Sequence, residues 1–597
     1  MSRNLSVRWV SALFAAVCCV LGWSAAASGA AVTAAPSAAT AAAGVWSPVR
    51  LVLNPEHYSI TVSEVSCPAT GDCTAAGTYT QFINGDQDAE GFVMAERGGV
   101  WGGIQPVPGL QSLNTGGGVA VSALSCPSAG NCALAGSYTA GALPAVPSTQ
   151  LFVASERDGT WQKAEPVPGY GKLDTGGQPR IVSMSCGAPG DCALVGLYAL
   201  KSTSVDDIWW DPFLATETDG TWSAAREVPG YAALAAYVPE YLLDYSVSCA
   251  GPGDCALIGN YYNAADQQQA FVLDQVRGSW GTARPLPGAG TYSGAGTVSC
   301  GSPGNCVASG SYENESMTEA GNAIWRESGG TWSDPKLFPT LTEIGQLSCV
   351  AAADCTALVE SESSDDLILT ESNGVWGAPR SLTGLAALGA TATKTAEVTA
   401  LSCYAPGGCS VGGYYFATDN PNTGDVGSWD FVVDETNGKW GQARHLAGLS
   451  ADRTAPGEDL ALTELSCTTG GFCGAAGQYS TSYDYEDFQG AFVANRVVPA
   501  ATATTLALSA HKAAYGREQG VRVSVAVRAK AGTPSGKVTV TAGQATLCVI
   551  TLKSGKGTCT LAPKRLGRGT YQIAARYPGS TDFTTSASAK QTLVVAR

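Results

Sequence analysis

The chain is short of charge and of histidine. Asp, Glu, Lys and Arg make up 14% of its 597 residues, and there are three histidines. Low charge beside 73 glycines suits many short strands and tight turns. His57, His445 and His511 stand in no nucleophile context, and no G-x-S-x-G, P-loop or H-E-x-x-H sequence occurs. Those absences exclude the common serine-hydrolase, phosphate-loop and zinc-protease signatures. After the N-terminal apolar run no stretch is long and apolar enough to cross a bilayer, and no C-terminal anchor pattern is found.

What is present begins with the features of an export signal. Arg3 and Arg8 make a basic start, and Trp9 to Trp23 is an apolar run too short to span a bilayer comfortably. Small residues at 27–30 offer cleavage near Ala30 or Ala31. Residues 1–30 are therefore expected to be a signal peptide and 31–43 an Ala-rich linker. Cys18 and Cys19 lie inside the apolar run, and Val17 is not the small residue that a lipid-anchored cysteine would want before it. The expected location is secreted, extracellular or cell-wall associated, where disulfides persist.

Twenty cysteines less these two leaves eighteen. Sixteen form eight C-x5-C pairs: Cys67 and Cys73, Cys126 and Cys132, Cys186 and Cys192, Cys249 and Cys255, Cys300 and Cys306, Cys349 and Cys355, Cys403 and Cys409, Cys467 and Cys473. Cys548 and Cys559 complete the set. Zinc is the rival reading, but zinc ligands are usually spaced two to four apart and histidine is scarce. Nine disulfides are expected, each within its own pair.

The pairs mark a repeat. Their first cysteines recur every 49 to 64 residues, a period that means a propeller or a solenoid. Each copy carries four strand signals. One ends at the first cysteine, and one runs from the second cysteine to a Tyr such as Tyr138. A third is an apolar run such as Leu151 to Glu156, and the fourth carries a Trp such as Trp161. Asp158-Gly159, Asp219-Gly220, Asn373-Gly374 and Asn437-Gly438 predict two-residue hairpins between the third and fourth strands. The eighth copy has a third strand, Ala491-Phe492-Val493, but no fourth. Gly44-Val45-Trp46-Ser47-Pro48-Val49 supplies the missing pattern with no cysteine pair before it. An N-terminal strand that completes the last blade closes a ring and removes sheet edges. The expected fold is all-β: an eight-bladed β-propeller over 44–498.

This closure resembles that of WD-repeat and sialidase-type propellers. The Asp-Gly-Thr-Trp turns are similar to the sialidase Asp-box, with shorter spacing, so the resemblance implies the fold and not sialidase activity.

After Val498 the repeat stops. Val521 to Val527 alternates, Gly536-Lys537-Val538-Thr539-Val540 follows Thr533-Pro534, and Gly569-Thr570-Tyr571 leads to Tyr577-Pro578-Gly579. Residues 499–597 resemble the bacterial Ig-like repeat of group 3, which implies a β-sandwich acting as a spacer or adhesive module. From residue 501 on there are fourteen Lys and Arg and two acids, Glu518 and Asp582, a balance of +12 against −28 for the rest. A basic module suits an anionic cell-wall polymer, nucleic acid or an acidic protein surface, or serves solubility alone.

Tight turns join strands one to two and three to four, so the other connections gather on the opposite face, where function tends to sit. The two-to-three connections are acidic, with interleaved aromatics. Candidate binding residues are Asp86, Asp88, Glu90, Asp206, Asp207, Trp209, Trp210, Asp211, Trp429, Tyr483, Asp484 and Tyr485. They admit Ca2+ binding, carbohydrate stacking on exposed rings, or a cationic partner, with a solvated acidic rim as the plain alternative. Asp86-Gln87-Asp88-Ala89-Glu90 is similar to part of a calcium loop but lacks its distal Glu. The Glu five before the blade Trp (Glu96, Glu156, Glu217, Glu327, Glu371, Glu435) recurs in six copies, which argues for a structural role.

The expected function is a secreted, non-enzymatic binding or surface-interaction protein. Its ligand would be carbohydrate, wall polymer or another surface protein on the long-loop face. Nucleic acid is not expected as a partner, and no cofactor beyond Ca2+ is suggested. The alternative is a carbohydrate-active enzyme, a glycosidase or lyase, which would need two facing carboxylates near the central channel.

Overall fold

The computed structural model describes residues 44–52, 59–83, 86–141, 148–200, 209–236, 244–288, 290–314, 320–361, 366–388, 396–420, 425–448, 459–483, 486–529, 533–580 and 583–597. The signal-peptide and linker readings fall on 1–43, outside the described residues.

Eight antiparallel sheets follow one plan, seven with five strand pieces and one with four. They are blades one to eight here, in the order of their cysteine pairs. Blade two runs Val119–Ser128, Asn131–Ala140, Ser148–Arg157 and Thr160–Trp161, with Glu165–Pro166 a second piece of the outer strand. The middle strands read as nearly continuous apolar runs because both faces are covered. Ala133, Leu134, Ala135, Leu151, Phe152 and Val153 are all buried. The outer strand is short and carries a proline, which blunts the exposed edge.

The turns behave as their residues dictate. Asp158 and Gly159 both hold positive φ (48° and 79°), as do Asn437 and Gly438 (53° and 73°). On the same face each such turn is tied to the cysteine turn of its own blade. Gly159 N–H donates to Gly130 O at 2.8 Å, and a Cβ on Gly130 would lie 2.8 Å from that nitrogen. Only glycine allows so close an approach.

The blades are joined by one repeated contact. The serine before each first cysteine accepts, on Oγ, the N–H of the corresponding cysteine in the next blade. Ser66 holds Cys126, Ser125 holds Cys186, Ser185 holds Cys249 and Ser248 holds Cys300, at 3.0 to 3.1 Å. Ser299 holds Cys349, Ser348 holds Cys403 and Ser402 holds Cys467, at 2.9 to 3.0 Å. Ser466 then holds Cys67 at 2.9 Å, and the ring is closed.

The N-terminal strand fits where the sequence put it. Val45 pairs with Val497 and Trp46 with Arg496, while Arg50, Leu51 and Val52 pair with Val493, Phe492 and Ala491. Outer-strand tryptophans also hydrogen-bond to the preceding blade. Trp101 Nε1 donates to Asn495 Oδ1 (2.7 Å), Trp332 to Asp274 Oδ1 (3.1 Å) and Trp46 to Asp434 Oδ1 (3.4 Å). Asp434 also accepts from Ser410 Oγ and pairs with Arg496 and Arg444.

The last domain is a sandwich of two sheets. One holds Thr502–Leu508, Arg522–Ala529 and Lys556–Thr560; the other holds Lys512–Ala514, Gln591–Ala596, Gly569–Tyr577, Lys537–Ala542, Ala545–Thr551 and Ser586–Ala587. Alternating Val523, Val525, Val527 and Val538, Val540 meet Ile573, Tyr577 and Leu593 in one core.

All nine expected disulfides are formed, each within its own pair. In blades one to four Cys67 is bonded to Cys73, Cys126 to Cys132, Cys186 to Cys192 and Cys249 to Cys255. In blades five to eight Cys300 is bonded to Cys306, Cys349 to Cys355, Cys403 to Cys409 and Cys467 to Cys473. Each of these joins the first strand of a blade to the second, and none crosses between blades. The second-strand cysteines are the deeper members: Cys73, Cys132, Cys192, Cys255, Cys306, Cys355, Cys409 and Cys473 are all buried, because that strand has a neighbour on either side. They are structural staples and line neither of the clefts described below. Cys548 is bonded to Cys559 and joins the two sheets of the sandwich.

Two expectations need correction. Residues 86–90 are not a loop. They open the strand Asp86–Arg97, paired residue by residue with Asp72–Ile83, so only Asn84 and Gly85 separate the two strands. A calcium loop must wrap its oxygens round an ion, whereas a strand sends alternate side chains to opposite faces. The same holds in blade eight, where Phe472–Tyr483 and Glu486–Val497 are separated by two residues. The two-to-three connections are therefore not uniformly long loops. No group of three or more metal-ligating side chains is found among the described residues.

Candidate functional site

Two clefts open on the face bearing the two-to-three hairpins. The first has a volume of about 510 Å3 and is walled by blades four, five and six. Tyr262 and Gln268 flank the hairpin of blade four. Tyr292, Ser293, Tyr312, Glu313 and Asn322 come from the first three strands of blade five, and Leu341 and Thr342 open blade six. Tyr292 is 38% exposed and Tyr312 is buried. Asn322 is fixed by donating from Nδ2 to Leu341 O at 3.0 Å. Ser293 Oγ accepts from Ala270 N–H at 2.9 Å. A Cβ on Gly321 would lie 2.8 Å from Pro339 Cα, so the chain entering blade six closes against this wall. The lining combines phenol rings, amides and hydroxyls with one carboxylate, the set that grips a sugar by face and by hydroxyl.

The second cleft, about 400 Å3, lies between blades six and seven. Glu343 and Glu360 stand directly opposite each other on neighbouring strands. Like charges in that position cost stability, so a strand pair does not place them for its own sake. Glu397 joins them and accepts a hydrogen bond from Tyr414 OH. Phe416 packs edge-on to Tyr414, with ring centroids 5.5 Å apart, and is 40% exposed. Gln346 ties the cleft to blade seven, donating to Thr399 O (2.7 Å) and accepting from Leu401 N–H (2.8 Å).

A pair of acids lies on the inner strands. Three residues before the first cysteine, Ser183, Ser246 and Gln346 accept the N–H of Val247, Val298 and Leu401 in the next blade. At the same place blades one and eight carry Glu64 and Glu464, each just after a bulge in its strand. Burial, and then the charge of Glu464, pushes Glu64 up to about 8. Burial pushes Glu464 up to about 7. The two carboxyls sense one another across the seam where the ring closes.

The residues singled out from sequence fare unevenly. Glu90 is buried, paired with Tyr79, and its carboxyl is raised to about 7 by burial. Asp88 is half-buried and rests on Gly117, where an added Cβ would lie 2.1 Å from its Oδ1. Asp86 and Trp209 begin strands, and their side chains are not among those described. Asp206, Asp207, Asp484 and Tyr485 lie outside the described residues, and Tyr483 ends a strand with its side chain undescribed. Trp210 is 0% exposed, with the Arg180 guanidinium 4.7 Å from its ring centroid. It is core and not a stacking platform, because it alternates with Trp209 on a strand whose faces are both covered. Asp211 is half-buried and raised by burial and by the charge of Glu227. Trp429 is half-buried, 5.8 Å from the His445 ring. These residues are spread over blades one, three, seven and eight, and none lines either cleft.

The residues that do line clefts were missed. Aligning the eight copies on their Ser-Cys step would have exposed Glu64 and Glu464, acids at a place held elsewhere by Ala, Ser, Thr or Gln.

The family model of the bacterial Ig-like domain (group 3) matches residues 506–596. The C-terminal domain is a bacterial Ig-like domain of that group. No curated protein matches the chain. Among solved structures, the Dos1 propeller is similar with a TM-score of 0.41 and 11% identity, over 76% of this chain and 95% of that one. The β-propeller domain of the Trilobed protease from Pyrococcus furiosus gives 0.34 and 9%, over 64% and 97%. A Hadza microbial sialidase gives 0.31 and 12%, over 75% and 94%. The propeller assignment rests on the sheet order and the closed ring of Ser–Cys contacts. The chain is thus a β-propeller followed by a bacterial Ig-like domain, and no described helix is long and apolar enough to cross a membrane.

Proposed function

We propose that the propeller is a carbohydrate-binding module of a protein that works outside the cytoplasm, with a glycan chain held along the clefts of blades four to seven. The observation that carries this reading is the first cleft, where Tyr262, Tyr292 and Tyr312 surround Gln268, Ser293 and Asn322 in a space of about 510 Å3. Phe416 and three carboxylates in the second cleft extend the surface for the next sugar units. Nine disulfides support the oxidising location. The test is a glycan and wall-polysaccharide binding screen on the mature chain, repeated with Tyr292→Ala. The variant is expected to lose about tenfold in affinity for whichever glycan binds, a lost aromatic contact of about 1.4 kcal/mol. Binding unchanged in Tyr292→Ala and in Phe416→Ala would remove the clefts from the reading.

A second reading is favoured by one observation, the Glu64–Glu464 pair. Glu64 and Glu464, both raised by burial, would supply an acid and a base to a glycan that reaches the seam of blades one and eight, which neither cleft includes. If the bound glycan is cleaved and Glu64→Gln abolishes cleavage while leaving binding intact, the chain is an enzyme; a glycan that stays intact leaves it a binding protein.

A further inference from the structure

One end of the Ig-like domain carries a surface that the clefts do not explain. Two loops meet there. The first contains Tyr515 and Arg517 and follows the edge strand Lys512–Ala514; the second contains Lys564 and Arg568. They are fastened through Glu518, whose Oε2 accepts the backbone N–H of Lys564 at 2.9 Å. A Cβ on Gly516 would lie 3.7 Å from Lys564 Cγ, so the loop tips touch. Lys512, Arg517, Lys564 and Arg568 are all exposed.

No exposed acid side chain is described at that end. Glu518 is 0% exposed, spent on the loop contact, and Asp582 lies outside the described residues. A field of one sign is thus kept on a domain of balance +12 within a chain whose net charge is −16. Clustered cations with no exposed acid among them attract polyanions. Tyr515 is the one large exposed aromatic among the described residues of the domain, and the Arg568 guanidinium lies 5.6 Å from its ring centroid. The Arg568 guanidinium covers one face of that ring and adds its charge to the cluster. Four exposed cations against one partly covered ring give charge the larger part in recognition, and a flexible phosphodiester chain, with an anion at every unit, matches them.

The geometry points to a docking surface for a poly(alditol phosphate) chain at Lys512, Arg517, Lys564 and Arg568. The probe is poly(glycerol phosphate), titrated into the full chain by calorimetry over a salt series. The parent is expected to bind at low ionic strength, with affinity falling as salt rises. Arg517→Ser/Lys564→Ser/Arg568→Ser should weaken binding by about tenfold or more, since each guanidinium and ammonium makes a charge-assisted contact. The control is Lys537→Ser/Arg576→Ser. Arg576 lies seven residues along the strand from Gly569, about 23 Å away at ~3.3 Å per residue, and Lys537 is near it. It removes almost as much charge from the other end and should leave binding within about twofold. The proposal is overturned if the parent does not bind at low salt, or if the control loses as much as the triple variant. It is also overturned if polygalacturonate or duplex DNA binds as tightly as the phosphate polymer. Unchanged thermal unfolding of both variants shows that the fold is not the cause.

Discussion

The recurring glutamates occupy the place opposite each outer-strand tryptophan, as in Glu96 with Trp101 and Glu156 with Trp161. All six are buried, with Gln275 in blade four and Arg496 in blade eight at the same place. Their partners come from the preceding blade: Asn495 donates to Glu96, Arg97 to Glu156 and Ser155 to Glu217. The structural role read from their recurrence is therefore a bond between blades. Burial raises Glu96, Glu327 and Glu435 to about 7, and raises Glu156 and Glu217 as well. A carboxyl raised in the folded chain keeps a proton that the unfolded chain has already lost. Its stabilisation is complete below the ordinary carboxylate range and is lost as pH rises through about 7. Thermal unfolding should therefore occur at a higher temperature near about pH 5 than near about pH 8. Glu96→Gln should reduce that difference, because Gln275 already shows that an amide fits the place. An unfolding temperature that rises towards alkaline pH would contradict the ionisation of these groups.

At the scale of the element, the strands were legible because period-two alternation, Asp-Gly and Asn-Gly turns and paired cysteines all agree. The hairpin over Asp72–Arg97 was misread for a physical reason. Asp86, Asp88 and Glu90 are poor strand formers, and the pairing with Gln81 and Tyr79 that holds them extended comes from the facing strand. The disulfides act at this scale too. Each of the eight blade bonds closes a span of six residues with Cα atoms 3.9 to 4.1 Å apart, on a hairpin already set by its turn. Cys126→Ala/Cys132→Ala should cost about 2 kcal/mol, since a short loop has little entropy to lose. Denaturant titration measures this directly. A much larger cost would mean that the pair is needed for packing between blades, where Cys126 and Cys132 are themselves buried.

At the scale of the molecule, closure was legible and the clefts were not. A tryptophan strand without its cysteine pair at one end, and a copy without its tryptophan at the other, can be matched by eye along the chain. The clefts draw Tyr262, Tyr292 and Thr342 from three blades and Glu360 and Glu397 from two, and nothing in their own repeats says that they face one another. Their meeting depends on how blades pack, which the Ser–Cys ring sets. The same ring makes the N-terminal strand a test of the whole. Trp46 is buried between blades seven and eight, donates to Asp434, and stands opposite Arg496, which is itself 1% exposed. Trp46→Ala removes a large apolar contact and opens a cavity beside a buried ion pair, at a cost of about 3–5 kcal/mol. Deleting 44–52 should do more. It strips the outer strand from Glu486–Val497 and leaves an unpaired edge, an invitation to pair with a second chain. The truncated protein is expected to unfold at lower temperature and to form dimers or larger species in size-exclusion chromatography. Truncation that leaves a monomer of unchanged stability would mean that the ring holds without this strand, by the Ser466–Cys67 contact and its neighbours alone.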